Sequence, residues 1–476
     1  MNLAEYANHD ATGLAGLVQR GEVTAAELAA LARQAFEKVD PAINAVVEFY
    51  ADAETLPGPD EGAFAGVPFL RKDIGATEKG RLQECGSRLL KGTISPHDAY
   101  YTKRAKAAGL RIVGRSAVPE LAFAGFTETI LEGITRNPWN LEASAGGSSG
   151  GAAAAVAAGI VPIAHASDGG GSIRIPAGWC GLVGLNPSRG RVSGGPDGQD
   201  SLFGLAREFV VCRTVRDMAA ALDVFAGPEP GDPFVIRAPE RLYTEELAQP
   251  TGRLRIGLAR TAWGSVPIAA DVLAALDETA ALLTAMGHTV EEIASPVEPR
   301  DIMVGVMGGF NLGLAELPAL AAALGRPLDD TMLEPVILKL MHQTLAMTPA
   351  EIVNIFETMR KIRHDVAIAT QRYDILLTPT TPVTAPEHGR FSTTRPDLTA
   401  AGFSEGDTTL FTFLGTFNAT GQPSVSLPLG LDRNNMPIGL QIVGRFADEA
   451  TLVRVARDLE EARPWSCMLP PVHALR

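Results

Sequence analysis

The sequence is poor in cysteine. Its 476 residues include four, Cys85, Cys180, Cys212 and Cys467, widely spaced and with no C-x-x-C pair. That argues against a disulfide framework and predicts buried, reduced thiols. An excess of positive charge is also lacking. Lys and Arg number 41 against 55 Asp and Glu, a formal net charge of −14, so direct nucleic-acid binding is not expected. No H-E-x-x-H occurs, and the eight histidines form no close-spaced ligand set with the cysteines, so no metal and no cofactor is expected. Met1 to Glu5 offers no basic region ahead of an apolar core. The longest small-apolar stretch, Ala152 to Ala164, is broken by Gly159 and Pro162 and is too short to span a bilayer. The expectation is a cytoplasmic protein without a membrane span.

What is abundant is glycine (49) and proline (33) in a chain that is 46% hydrophobic, the composition of a large, loop-rich globular protein. Thr24 with Glu27 spells a capping box, which predicts a helix running to about Asp40-Pro41. From Gly62 to Ala226, β-like runs alternate with alanine-rich helical ones. Phe69 to Ile74, Leu110 to Val113 and Ile160 to Ala164 read as strands. Tyr101 to Ala108 and Ala152 to Ala158 read as helices. The turn-rich Gly227 to Pro233 marks a break. After it come a strand at Leu254 to Leu258, a helix at Ala269 to Leu283, several Leu- and Met-rich helices to about Arg363, and late strands at Tyr373 to Pro379, Val425 to Leu429 and Ile438 to Val443. The fold class is α/β, with a central mixed sheet surrounded by helices. Four stretches are expected: residues 1–60, an N-terminal helical region packed on the body; 61–227, the core; 228–370, a variable helical substrate wall; and 371–476, which completes the same body.

Two glycine-serine blocks carry the chemistry: Gly146-Gly147-Ser148-Ser149-Gly150-Gly151 and Gly169-Gly170-Gly171-Ser172. A strand-helix-strand excursion across the intervening residues can return both to one sheet edge. The amides of the second block suit an oxyanion, because fixed N–H donors stabilise developing negative charge. The first block leads into Ala152 to Ala155, so one of its serines is a candidate helix cap. Upstream, Arg71-Lys72-Asp73 follows an apolar run and supplies a candidate base. Gly147 to Gly151 matches G-x-S-x-G, yet the text before it is weakly strand-like, and none of His165, His288, His342 or His364 is marked as a base, so a nucleophile elbow is rejected. A Walker A loop is rejected for want of Gly-Lys-Ser/Thr.

An ordered series of segments is similar to the amidase signature family: Gly66-Val67-Pro68 leading to Lys72-Asp73, Thr135-Arg136-Asn137-Pro138-Trp139, Gly146 to Gly151, Ser167 to Pro176, Cys180 to Leu185, Gly421 to Ser426 and Pro437 to Gln441. The resemblance covers most of the chain. It implies a serine-dependent amide hydrolase that works through an acyl-enzyme, with Ser172 as nucleophile, Ser148 as a bridging serine after a cis peptide bond and neutral Lys72 as base. It implies an oxyanion hole from the backbone of Gly169, Gly170, Gly171 and Ser172, with Asp168 and Arg174 organising the site. Burial or a neighbouring positive charge, Arg71 or Arg174, would have to hold Lys72 neutral. Phe123, Phe126, Thr127, Met307 and Asn311 are candidates for the substrate wall, with Met303 and Phe310 beside them. Ser167 stands where many relatives have threonine. The Asp168-Gly-Gly-Gly-Ser172 variant resembles a branch of bacterial hydrolases acting on cyclic and linear aminohexanoate amides. Aryl amides, carbamates and esters are further candidate substrates. The other reading of the resemblance is a glutamine-dependent amidotransferase subunit in a tRNA-processing complex. The partner expected is a small-molecule amide, and a homodimer is left open.

Overall fold

The computed structural model describes residues 1–476 apart from positions 262 and 265. Thr24 and Glu27 make the reciprocal pair their spacing predicts: Glu27 N donates to Thr24 Oγ1 at 3.1 Å and Thr24 N to the Glu27 carboxylate at 2.8 Å. They open the helix Ala25–Ile43, which buries Leu28, Leu31, Ala35 and Val39. The helix carries Pro41 in its last turn and ends at Asn44, whose φ of 52° is left-handed, slightly beyond the expected stop.

Eleven strands among the described residues form one sheet. In chain order they are β1 (Val46–Phe49), β2 (Pro68–Lys72), β3 (Arg111–Ser116), β4 (Ile163–Asp168), β5 (Val183–Asn186), β6 (Arg207–Cys212), β7 (Arg255–Leu258), β8 (Thr289–Glu292), β9 (Ile375–Pro379), β10 (Ser424–Leu431) and β11 (Pro437–Gly444). Their order across the sheet is β1-β3-β2-β4-β6-β5-β10-β11-β9-β7-β8. The pairs β2–β3, β2–β4, β7–β8 and β7–β9 are parallel and the others antiparallel. The sheet is therefore mixed. All four stretches read from the sequence supply strands to it, including the N-terminal one through β1 and the helical 228–370 stretch through β7 and β8. A single hydrophobic cluster runs from the N-terminal helices through the sheet to the C-terminal helix Glu449–Ala462.

Two details place the site. The parallel neighbours β2 and β4 end at Lys72 and Asp168, so the turns beyond both strands open on one edge of the sheet, where α/β folds bind their ligands. The helix Gly150–Ala157, which leads back into β4, has all eight residues buried. Its glycines and alanines let it lie close to the sheet, which holds the preceding Gly146 to Ser149 turn at the same edge.

A second apolar segment, beside the small-residue stretch Ala152 to Ala164, lies further along the chain. The helical segment Pro299–Leu324, 26 residues with mean hydropathy 1.4, has the length and composition of a membrane crossing, but half of its apolar window is buried in the protein. Its apolar side chains pack on the helix Pro349–Thr370 and line a cleft described below. Three cysteines are buried as expected, but Cys467 is exposed; all four are free.

Candidate active site

Strand alternation separates Arg71 from Lys72. Successive side chains on β2 leave opposite faces. Arg71 donates to Tyr50 Oη at 3.0 Å and to the Leu82 carbonyl oxygen, whereas Lys72 Nζ donates to Ser148 Oγ at 2.8 Å and to Ser167 Oγ at 2.9 Å. The Gly147–Ser148 peptide is cis, as the family resemblance implied. Ser149 N donates to the Ser172 carbonyl oxygen at 3.3 Å, tying the two glycine-serine loops together. Ser148 is buried, and Ser172 is partly exposed at a cleft.

Lys72 is fully buried, and burial alone pulls its ammonium down to about 7 against the carboxylates of Glu208 and Asp168, which favour the charged form. Neither Arg71 nor Arg174 is the perturber: Arg71 faces away, and the charge of Arg174 is matched by Asp168. His165 Nδ1 accepts from Lys72 N at 3.1 Å, so its Nε2–H donates to Glu208, 2.7 Å away. This fixes the end of β2 from behind. In Glu208→Gln the hydrogen bond to His165 has a neutral acceptor, but a charge that favours ammonium is gone. With Lys72 as the base that the family resemblance implies, the acidic limb of the activity–pH profile is expected to move to lower pH. Steady-state kcat/KM between pH 5 and 9 checks this, and a limb that stays or moves to higher pH contradicts it.

The second loop is organised by a buried ion pair. Arg174 Nη2 and Nε donate to Asp168 at 2.8 and 2.9 Å, and Ile173 N donates to the same carboxylate at 3.1 Å. Burial opposes the charge on Asp168, but the Arg174 guanidinium and the Asn418 amide hold its carboxyl down at about 2. Arg174 also donates to Gln441 Oε1 at 2.8 Å and to Ser424 Oγ at 3.1 Å, so β10 and β11 brace the loop. No loop hydrogen bond to a carbonyl of the protein occupies the amides of Gly169, Gly170, Gly171 or Ser172 among the described residues. A Cβ on Gly170 would meet nothing within 4 Å. One on Gly147 would sit 2.6 Å from the Ala124 carbonyl oxygen and Phe126 N, so that position needs glycine for close approach.

Ser149 starts the helix Gly150–Ala157 without capping it through its side chain. Its hydroxyl instead donates to the Ser167 carbonyl oxygen at 3.2 Å and accepts from Ser167 N at 3.3 Å. The expected side-chain cap is absent because the β4 end lies within reach and takes the hydroxyl.

Beyond Ser172 opens a cleft. Phe123, Met307 and Asn311 line it, as does Phe310, whose ring meets Phe123 edge-on at 4.6 Å. Phe126 and Thr127 do not. Phe126 is buried against Trp179 and Phe391, and Thr127 Oγ1 donates to the Gly146 carbonyl oxygen at 2.8 Å, so both support the Gly146 to Gly151 turn from behind. Met303 lies in an adjoining groove that also touches Met307 and Asn311. Sequence reasoning missed Asp407, which lines the cleft, and the bracing residues Asn418, His165 and Glu208. Gln441 and Ser424 lay inside segments already singled out; Asp407 had no motif around it.

Comparison with known proteins agrees with this architecture. The amidase family model matches residues 27–453. The 6-aminohexanoate-cyclic-dimer hydrolase of Paenarthrobacter ureafaciens is 36% identical over 473 residues, covering 97% of this chain and 96% of the relative. The solved structure of a 6-aminohexanoate cyclic dimer hydrolase complexed with substrate superposes with a TM-score of 0.93 at 34% identity, covering 98% of this chain and 99% of that one. A bacterial aryl acylamidase of the amidase signature family superposes with a TM-score of 0.85 at 28% identity, covering 96% and 97%. With the family model spanning most of the sequence and full-length relatives above 30% identity, the chain belongs to the amidase family and is an amidase-signature hydrolase of carbon–nitrogen amide bonds.

Proposed function

We propose that Ser172 is the nucleophile of this hydrolase, Ser148 the proton relay and Lys72 the base. Ser172 Oγ attacks the amide carbonyl carbon while its proton passes to Ser148 Oγ, and the Ser148 proton passes to neutral Lys72 Nζ. The amides at Gly169, Gly170, Gly171 and Ser172 hold the oxyanion. The carbon–nitrogen bond then breaks, the relay returns the proton to the departing nitrogen, and the acyl group stays on Ser172. Water attacks this ester through the same relay, releasing the acid and restoring the serine. The observation that carries the reading is the 2.8 Å contact from the buried Lys72 amine to Ser148 Oγ, at the back of a cleft that Ser172 lines.

The substrate is a linear or cyclic amide of the aminohexanoate type, with aryl amides next. The likeness to the cyclic-dimer hydrolase and the aryl acylamidase supports this, as does a cleft walled by Phe123, Phe310, Phe403 and Phe411. Glutamine amidotransfer fits less well, because the cleft lining among the described residues contains no Lys, Arg or His to pair with the α-carboxylate of glutamine. A serine-directed fluorophosphonate probe, followed by peptide mapping, is expected to label Ser172. Turnover is expected for cyclic, linear or aryl amides and not for glutamine. Labelling of a different serine, or glutaminase activity alone, overturns the reading.

A further inference from the structure

The cleft lining is apolar except at few points, and one of them is a carboxylate. Asp407 sits on the helix Ala400–Thr408, one turn after Phe403, and both line the cleft. It is 5% exposed. Among the described residues its side chain makes one hydrogen bond, accepting from Gly125 N at 3.0 Å through Oδ1, and it has no ion-pair partner. Holding the Gly125 loop therefore engages Oδ1, and Oδ2 has no hydrogen-bond partner among the described residues. A carboxylate buried without a cation is expensive, and burial pushes this one up to about 7. A second acceptor lies in the same lining: Asn311 Oδ1 is buried with no hydrogen-bond partner.

We propose that Asp407, with Asn311, forms a specificity site for an N–H group that the substrate carries beyond the bond to be cleaved. The inference rests on the acyl-enzyme reading above and deepens it. The Asp407 carboxylate, with no cation in the lining among the described residues, selects against acyl chains ending in a carboxylate and in favour of chains that end in an ammonium or continue into a further amide, for which Asn311 Oδ1 offers a second acceptor. Both groups offer the same N–H donor to Asp407. The ammonium adds a charge, so its pair with the carboxylate is the stronger in a low-dielectric cleft.

The test uses the full-length protein and three p-nitroanilides that differ at the same chain position: 6-aminohexanoyl, with a terminal ammonium; 6-acetamidohexanoyl, with an amide N–H; and heptanoyl, with a methyl group. Asp407→Leu also loses the bond from Gly125 N, so kcat/KM is expected to fall on all three substrates, and by about 10- to 100-fold more on the N–H-bearing chains than on the heptanoyl chain, mainly through KM. Asp407→Asn separates the sources: a fall confined to the aminohexanoyl substrate assigns the site to ammonium, and retained activity on the acetamido chain shows that a neutral acceptor suffices for an amide. An equal fall on all three substrates in both variants, or no change in either, overturns the inference. Should Asp407→Leu fail to fold, Asn311→Leu reads the same contrast. Calorimetry on Ser172→Ala with 6-aminohexanamide, 6-acetamidohexanamide and heptanamide reads it without turnover. Failure of hydrolysis in the wild type then counts against the acyl-enzyme reading alone, and equal binding of the three amides counts against this site alone.

Discussion

Ser172→Ala is expected to lose covalent labelling altogether and to lower kcat by about 10⁴- to 10⁶-fold, the range seen when a serine hydrolase loses its nucleophile and keeps its oxyanion donors and binding energy. The change removes one oxygen from a partly exposed side chain at the cleft. Its Cβ remains, and the backbone contact from Ser149 N to the Ser172 carbonyl oxygen does not involve the hydroxyl. The fold should therefore be unaffected, with a thermal midpoint that corresponds to a change within about 0.5 kcal/mol. Burst kinetics on an aryl amide, together with peptide mapping of the probe adduct, provide the measurement. A burst of normal size in the alanine variant would remove Ser172 from the mechanism.

Lys72→Met is expected to lower the acylation rate by about 10²- to 10⁴-fold, the usual contribution of a positioned general base. Methionine is close to lysine in length and carries no proton acceptor of comparable basicity, so the buried slot stays filled. The sign of the pH dependence follows from burial. The amine works in its neutral form; as pH falls through about 7 it takes up a proton and can no longer accept one from Ser148. Wild-type kcat/KM should therefore fall on the acid side with a midpoint near that value. In Lys72→Met the residual activity should lose that limb. Persistence of the same limb in the variant would assign it to a different group and sink the role given to Lys72.

The legibility of the site varied with how local each signal was. The two glycine-serine blocks and the lysine after an apolar run stood out locally, and the family resemblance singled out Lys72, Ser148 and Ser172 among them. The helix Ala25–Ile43 could be read from Thr24 and Glu27 because a capping box is complete within four residues. Ser149 misled for the same reason: its position at the start of Gly150–Ala157 satisfies the local rule for a cap, yet its hydroxyl bonds Ser167 on a strand 18 residues away. Phe126 misled because a family segment fixes neighbourhood, not side-chain direction. Asp407 was invisible, since a carboxylate in a helical stretch reads as solvent surface until Phe403, Phe123 and Phe310 close around it.

The sequence by itself determined the α/β class and most strand positions near the site, because periodicity and caps are properties of adjacent residues; it offered glycine-serine blocks and a lysine, and the family resemblance named Lys72, Ser148 and Ser172 among them. The tertiary structure alone decided the rest. It showed that burial, and not Arg71 or Arg174, brings Lys72 to about 7; that Arg174 and Asn418 hold Asp168 ionised; and that Asp407 lines a cleft with no cation in its lining among the described residues. Desolvation and charge pairing sum over every atom packed around a group, and here those atoms come from segments as far as 282 residues apart, as in the bond from Gly125 to Asp407.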